Sequence, residues 1–368
     1  MREIVQMQKI QEIIRTYDTK QPLQVHLRNY FKAHKEMGSR DRKVYTQLAY
    51  SYYREKGMHP HDDAFFVAAS VHDPILHAFH AYWSTQKQPL PSPQGADYFP
   101  CWDKISDAVN KDALVNSIHR QPAVYIRCKK DRIKPVIDEL TQAQFAFERD
   151  GVCIKFTNNY PLQELSTYQQ GDFEIQDIAS QQTRTLLHPQ KNEAWWDCCA
   201  GSGGKSLLLL EEEKQIQLFV SDVRESILRN LQERFQRAGI RQYAAIIADL
   251  AQSDTSMLQS IPDMQGIIAD VPCSGSGTWA RTPERLDFFT PNDLQHYVSL
   301  QRQILEKAIP KLLPGGQFIY LTCSVFSDEN EVQSAWISEQ FGLQLAEQHY
   351  FQYSSEGGDT LFGARFIR

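Results

Sequence analysis

An α/β fold is predicted for this chain, with a doubly wound and mostly parallel sheet in its C-terminal half, on three observations. Short apolar runs alternate with helical segments from about Glu174 onward. A glycine loop, Ala200-Gly-Ser-Gly-Gly-Lys205, follows the first of the main runs. Two cysteines, Cys273 and Cys323, each sit in a turn-like segment just after a later run. Strands spaced by helices build a parallel sheet whose ligands gather at the strand C-terminal ends, and all three loops fall at such ends.

A chain of 368 residues exceeds one ordinary domain, and the pattern divides it into three. Residues 1–100 read as a helical domain. Ile4, Met7, Ile10 and Ile14 recur at helical spacing, as do Val44, Leu48 and Tyr52. Ser39 or Asp41 is the expected cap of a helix beginning near Arg42. His72-Asp-Pro74 opens a further helix, and Gln88-Pro-Leu-Pro-Ser-Pro-Gln-Gly95 reads as a linker or exposed loop.

Residues 101–173 read as a small α+β module, with strands at 123–127 and 152–156 around a helix at 132–141. Its edge carries Arg127, Lys129, Lys130, Arg132 and Lys134, which suit either a solvated loop or contacts to phosphates. In residues 174–368, strands are expected at 194–198, 217–221, 244–248, 266–269 and 317–321, with helices at 224–238 and 293–313. Leu313-Pro-Gly-Gly-Gln317 stops the last helix and turns into a strand.

Hydrophobic content of 42% and charged content of 23% are those of a globular protein. There is no apolar run of transmembrane length, and residues 1–10 lack a signal-peptide pattern. Seven cysteines without regular spacing form neither a disulfide framework nor a zinc ribbon. Reduced thiols in the cytoplasm, with no metal and no membrane partner, are the expectation. Net charge is −6, yet residues 1–150 hold 22 Lys and Arg against 18 Asp and Glu, with eight of eleven histidines. A more basic N-terminal part suits a polyanionic partner.

The glycine loop follows a strand ending near Asp197 and precedes a helix at 206–210, so backbone N–H groups at the helix start face a ligand. A P-loop would need glycine where Cys199 stands, and a dinucleotide fingerprint would need glycine where Ser206 stands. S-adenosylmethionine remains. Asp222 and Asp249 end the next two strands, where carboxylates can meet ribose hydroxyls and the adenine amino group.

Cys273 lies in Asp270-Val-Pro-Cys-Ser-Gly-Ser-Gly-Thr278, and Cys323 in Leu321-Thr-Cys-Ser324. Buried cysteines are usually inert small hydrophobes, a reading that suffices for Cys101, Cys128, Cys153 and Cys198. Two thiols on the cofactor's side of the sheet suit covalent chemistry better. Pyrimidine C5 becomes nucleophilic once a thiolate adds to C6, and a second group then has work in removing the C5 proton or releasing the enzyme.

These segments resemble the RNA 5-methylcytosine methyltransferases of the RsmB/Nop2/Sun type, over most of residues 100–368. Gly171-Asp-Phe-Glu-Ile-Gln-Asp-Ile-Ala-Ser-Gln181 is similar to the family's opening segment, and Asp197–Ser206 to its Asp-x-Cys-Ala-Ala-Pro-Gly-Gly-Lys-Thr loop. Asp270–Thr278, Arg281-Thr-Pro-Glu284, and Thr322-Cys-Ser324 with Glu329-Asn-Glu331 resemble three further motifs. The resemblance implies a Rossmann-like methyltransferase fold with Cys323 as nucleophile and Cys273 assisting release. It also implies that Asp270 contacts the cytosine edge and that Lys205 holds the site's geometry. Cys199, Ala200, Gly201, Ser202, Gly203, Gly204, Lys205, Asp222, Asp249 and Asp270 would form the methyl-donor site.

Two departures stand out. Gly201-Ser202 replaces Ala-Pro, and Asp359-Thr-Leu-Phe362 replaces Asp-Gly-Phe-Phe, so the last strands are open to different packing. No appended RNA-binding domain is expected to follow. Met37–Arg54 resembles the NusB-like helical domain of the ribosomal RNA member, and residues 120–171 resemble an RRM-like domain. The expectation is a monomeric rRNA methyltransferase acting on small-subunit RNA. The alternatives are a tRNA cytosine-C5 methyltransferase, an enzyme for DNA cytosine or an exocyclic amine, and a non-catalytic ribosome-assembly protein.

Overall fold

The computed structural model describes residues 2–19, 21–55, 95–252 and 256–368. The expected helix start at His72-Asp-Pro74 and the proline-rich stretch 88–94 lie outside them. The described residues form two compact units. One comprises the N-terminal part to Ile105 with Asn110–Pro122 and Thr278–Pro291, and the other holds the remaining described residues.

In the first unit, helices Arg2–Arg15, Leu23–Ala33 and Ser39–Arg54 enclose a core of Ile10, Ile13, Leu23, Leu27, Phe31, Leu48, Ala49 and Tyr53. The third helix begins at Ser39 itself with Gly38 as N-cap, so neither Ser39 nor Asp41 is the cap that the sequence suggests. Segment 278–291 belongs to this unit. Trp279 stacks on Phe99, and the buried Glu284 carboxylate accepts the Leu23 N–H at 3.2 Å, an orphan donor at a helix start. Glu284, the last residue of the Arg281–Glu284 motif, therefore makes a structural contact.

The second unit holds two sheets. In the smaller, β1 (Val124–Cys128), β2 (Glu148–Asp150), β3 (Cys153–Phe156) and β4 (Phe173–Ile175) run in the order β2-β3-β1-β4, all antiparallel. With helix Ile133–Gln142 after β1 and the short helix Ser166–Gln169 before β4, this is the split-βαβ arrangement. Strands β2 and β4 were not legible in the sequence. Each is three residues long, and β2 is fully exposed, so no apolar alternation marks it.

The larger sheet contains β5 (Ala194–Asp197), β6 (Gln217–Asp222), β7 (Ala244–Ile247), β8 (Met264–Asp270), β9 (Leu312–Thr322), β10 (Gln344–Gln352) and β11 (Thr360–Ile367). Their order is β10-β11-β9-β8-β5-β6-β7, parallel from β9 to β7 and antiparallel at β11 and β10. Both faces of the parallel part are buried at its centre, while edge strand β7 alternates half-buried and exposed residues. Adjacent Trp195 and Trp196 point to opposite sides, each at 0% exposure in a different core cluster. Gly266 makes room for the first of them, since a Cβ there would lie 2.2 Å from the Trp195 ring.

Leu313–Gly316 is a bulge within β9, opposite Gln265, rather than a turn ahead of it, and Gly315 takes φ +75° there. Asp359 precedes β11, in which Phe362 pairs with Thr322 and is buried. The departure from the family pattern at 359–362 is accommodated without loss of the strand. No helix among the described residues is long and apolar enough to cross a membrane.

Candidate active site

A cavity of about 790 Å³ opens at the C-terminal ends of β5, β6, β7 and β8, and Cys323, just past β9, also reaches its wall. Its size falls in the range of small-molecule sites. The expected residues Cys199, Ala200, Gly201, Ser202, Gly204, Lys205, Asp222, Asp249, Asp270, Cys273 and Cys323 all line it. Gly203 does not. Its φ of +83° closes the turn into helix Gly204–Glu212, and a Cβ there would meet Phe235 at 2.6 Å and Leu231 at 3.0 Å. This glycine is required by helix packing, not by ligand approach. Gly201, at φ +53°, has open space where its Cβ would be, so the backbone there is free to approach a ligand.

The loop is held by two aspartates from beneath and beside it. Asp197, the last residue of β5, is fully buried and accepts the Ser206 hydroxyl at 2.6 Å. Burial raises its pKa to about 7 from an ordinary 3.8, with the Ser206 hydrogen bond opposing the rise and Asp270 adding to it. Between those values the folded state keeps a proton that the unfolded state has lost. The Asp197 contribution to stability therefore falls as pH rises from about 4 to 7 and is flat above. Asp197→Asn is expected to remove this slope, seen as a narrowing of the pH 5 to pH 8 difference in urea midpoint.

Asp222 is the second. It accepts the Gly201 N–H at 3.0 Å and the Arg224 N–H at 2.9 Å, and its side chain is 5% exposed. Burial works against its ionisation, but the Arg224 side chain and the two N–H groups outweigh that and hold its pKa below the usual value. Asp249, two residues past β7, accepts Ala251 N–H and the Gln252 amide at 3.0 and 2.9 Å.

Lys205 ties the loop to the end of β8, three residues before Cys273. Its ammonium donates to Asp270 Oδ2 at 2.9 Å and to Ser180 Oγ at 3.0 Å. Ser180 also accepts the Gln176 amide, and both residues line the cavity. Nothing in the sequence of this segment gives either residue a place in the site. They stand 14 and 18 residues before the first main run at Ala194, in a segment that the fold returns to the loop.

The sulfurs of Cys273 and Cys323 are 3.3 Å apart, and the Cys323 N–H points at Cys273 Sγ at 3.3 Å. The Cys323 sulfur and burial push the Cys273 thiol well above its ordinary pKa. Cys273 is thus held as a thiol, an S–H beside a second sulfur on the cavity wall.

Glu329 fixes that spacing, and the sequence gave it no role. Its buried carboxylate accepts Ser274 N–H and Gln301 Nε2, each at 2.9 Å, on Oε1, and both Ser274 and Ser324 hydroxyls at 2.5 Å on Oε2. Ser274 and Ser324 each follow one of the two cysteines, so a single carboxylate ties both thiol loops together. Asn330 adds bonds to Thr322 Oγ1 and the Ser324 carbonyl. Burial raises the Glu329 pKa despite these donors. Glu329→Ala would strand four donors and is expected to cost about 3 kcal/mol or more in denaturant unfolding, with Glu329→Gln milder.

The cationic edge of the small sheet is largely engaged within the fold. Arg127 is buried against Glu211 and Gln176, Lys129 donates to the Ala238 carbonyl, Arg132 pairs with Asp172, and Lys134 with Asp138. Of the phosphate contacts considered from sequence, the buried Arg127 in particular is ruled out.

A parallel sheet of this order, closed by an antiparallel β10–β11 pair, with a glycine loop after its first strand and acids after the next two, defines a Rossmann-like methyltransferase domain. Comparison with known proteins narrows the class. Residues 184–354 match the family model described as 16S rRNA methyltransferase RsmB/F. Ribosomal RNA small subunit methyltransferase B of Erwinia tasmaniensis is 27% identical over 289 residues, covering 73% of this chain and 62% of that protein. Its namesake in Shewanella oneidensis is 30% identical over 243 residues, covering 64% and 56%. The chain thus spans about three-fifths of the length of these relatives. Among solved structures, PH0851 superposes with a TM-score of 0.76 at 20% identity, covering 99% of this chain and 98% of that one. NSun6 from Pyrococcus horikoshii with SFG gives 0.62 at 17%, covering 70% and 94%. At these identities the two structures speak to the fold.

Proposed function

We propose that this protein methylates C5 of a cytosine in RNA, with S-adenosylmethionine as methyl donor and Cys323 as the covalent nucleophile. The observation that carries the reading is the pair of sulfurs 3.3 Å apart on the wall of a cavity whose other wall is the glycine loop. An isolated donor site would need neither thiol.

The residues present fit the donor. The Gly201 backbone lies open, Val223 is half exposed on the cavity wall, and Asp222 and Asp249 stand at successive strand ends. When bound, S-adenosylmethionine supplies an electrophilic methyl on a sulfonium sulfur. The Cys323 thiolate adds to cytosine C6, which makes C5 the nucleophile that takes the methyl. Asp270, held by Lys205, is placed to accept from the base edge and orient the ring. Cys273, kept protonated, donates to the Cys323 sulfur as the Cys323–C6 bond breaks, while the C5 proton passes to solvent water and its bonding electrons form the C5–C6 double bond. The target base must be unpaired or flipped out, because a stacked pair hides its C5–C6 edge from a thiol.

Ribosomal RNA of the small subunit is the proposed substrate, supported by the names of the matched relatives. A monomer acting in the cytoplasm, with RNA as partner and without a metal, completes the reading. Bisulfite sequencing of RNA from a strain lacking the gene tests it: one cytosine of small-subunit rRNA is expected to lose protection. Loss at a tRNA position instead would move the substrate to tRNA, and no change in any RNA would contradict the activity.

A further inference from the structure

We infer that Arg224 is a latch on the ribose subsite of the donor cavity, occupying Asp222 in place of the ligand's diol and lowering donor affinity. The inference rests on the reading that a ribose-bearing donor enters this cavity.

Asp222 accepts four hydrogen bonds. Gly201 N–H and Arg224 N–H come from the backbone, at 3.0 and 2.9 Å. The other two come from the Arg224 guanidinium, with Nε on Oδ1 at 3.0 Å and Nη2 on Oδ2 at 3.1 Å. A carboxylate offers about four lone-pair sites, so this set is full. A vicinal diol would need one lone pair on the same two oxygens for each hydroxyl. The planar fork of a guanidinium and a diol present paired donors to a carboxylate in the same way. They compete for one seat.

The backbone donors are fixed by the glycine loop and the turn after β6, whereas the Arg224 side chain is 60% exposed and lines the cavity. It is the donor that can leave. The pair is exposed on its arginine side, so displacing it shifts affinity by a modest factor, about two- to fivefold.

Calorimetric titration of the full chain with S-adenosylhomocysteine tests the latch, using wild type, Arg224→Ala and Asp222→Asn. The latch predicts two- to fivefold tighter binding by Arg224→Ala, a gap that narrows as salt screens the Arg224–Asp222 pair in the wild type. Asp222→Asn should weaken binding. A side chain that merely braced the turn would not raise affinity on removal. Equal or weaker binding by Arg224→Ala, with wild type binding normally, overturns the latch and leaves the donor reading standing. Absence of binding by folded wild type overturns the donor reading itself, and the latch with it.

Discussion

Replacing Cys323 with alanine is expected to abolish methyl transfer to RNA, by a factor on the order of 10⁴ or more, the scale of loss when a covalent enzyme is deprived of its nucleophile. The reason lies in the substrate as much as in the enzyme. Without addition at C6, cytosine C5 has too little electron density to take a methyl from sulfonium, however well the two are aligned. The variant should fold, because Cys323 lies on a cavity wall and the clamp below it runs through Ser324 and Glu329. Donor binding should survive, since the glycine loop and the aspartates at the ends of β6 and β7 are untouched. Radiolabel transfer to RNA, beside a donor titration, separates lost chemistry from lost structure.

Cys273→Ala has the second largest expected effect, and of a different kind. Methyl transfer leaves C5 with both a proton and a methyl while C6 is still bonded to Cys323. Completing the turnover requires loss of that proton and expulsion of the thiolate. Cys273 sits 3.3 Å from the bonded sulfur as a protonated thiol, within reach to donate to that sulfur as it leaves C6 while the C5 proton passes to solvent. Its removal should slow turnover by about 10²–10⁴, the contribution typical of a positioned proton-transfer group. The adduct should then accumulate as a band that resists denaturation. Wild-type enzyme should show little of it under the same conditions.

Much of this site was legible in the sequence because its parts are loops at strand ends, where residue type is dictated by chemistry. The glycine loop, Asp222, Asp249, Asp270 and both thiols converge on one cavity as their positions after β5 to β9 require. What was not legible depends on contacts made across the fold. Glu329 stands in a motif-like segment without a role until Ser274 and Ser324 are seen on its carboxylate. Gly203 reads as a ligand-facing glycine until Phe235 and Leu231 are seen against it. Arg224 reads as the start of a helix, and only its return to Asp222 gives it a place in the cavity.

The fold shows the same division. The central parallel strands, buried on both faces, announce themselves as apolar runs. Strand β10, mostly exposed at the sheet edge, carries Gln344-Leu-Ala-Glu-Gln-His-Tyr-Phe-Gln352 with no regular alternation, and pairing with β11 defines it. Short β2 and β4 likewise exist through their neighbours β3 and β1.

The central claim is that Cys323, not Cys273, forms the bond to the base. Peptide mapping of the adduct trapped by the Cys273→Ala enzyme on substrate RNA with S-adenosylmethionine tests it most directly. The account predicts that Cys323 carries a cytosine linked through C6 and methylated at C5. Attachment at any other residue, or no adduct from an enzyme whose wild type methylates cytosine C5, would contradict it.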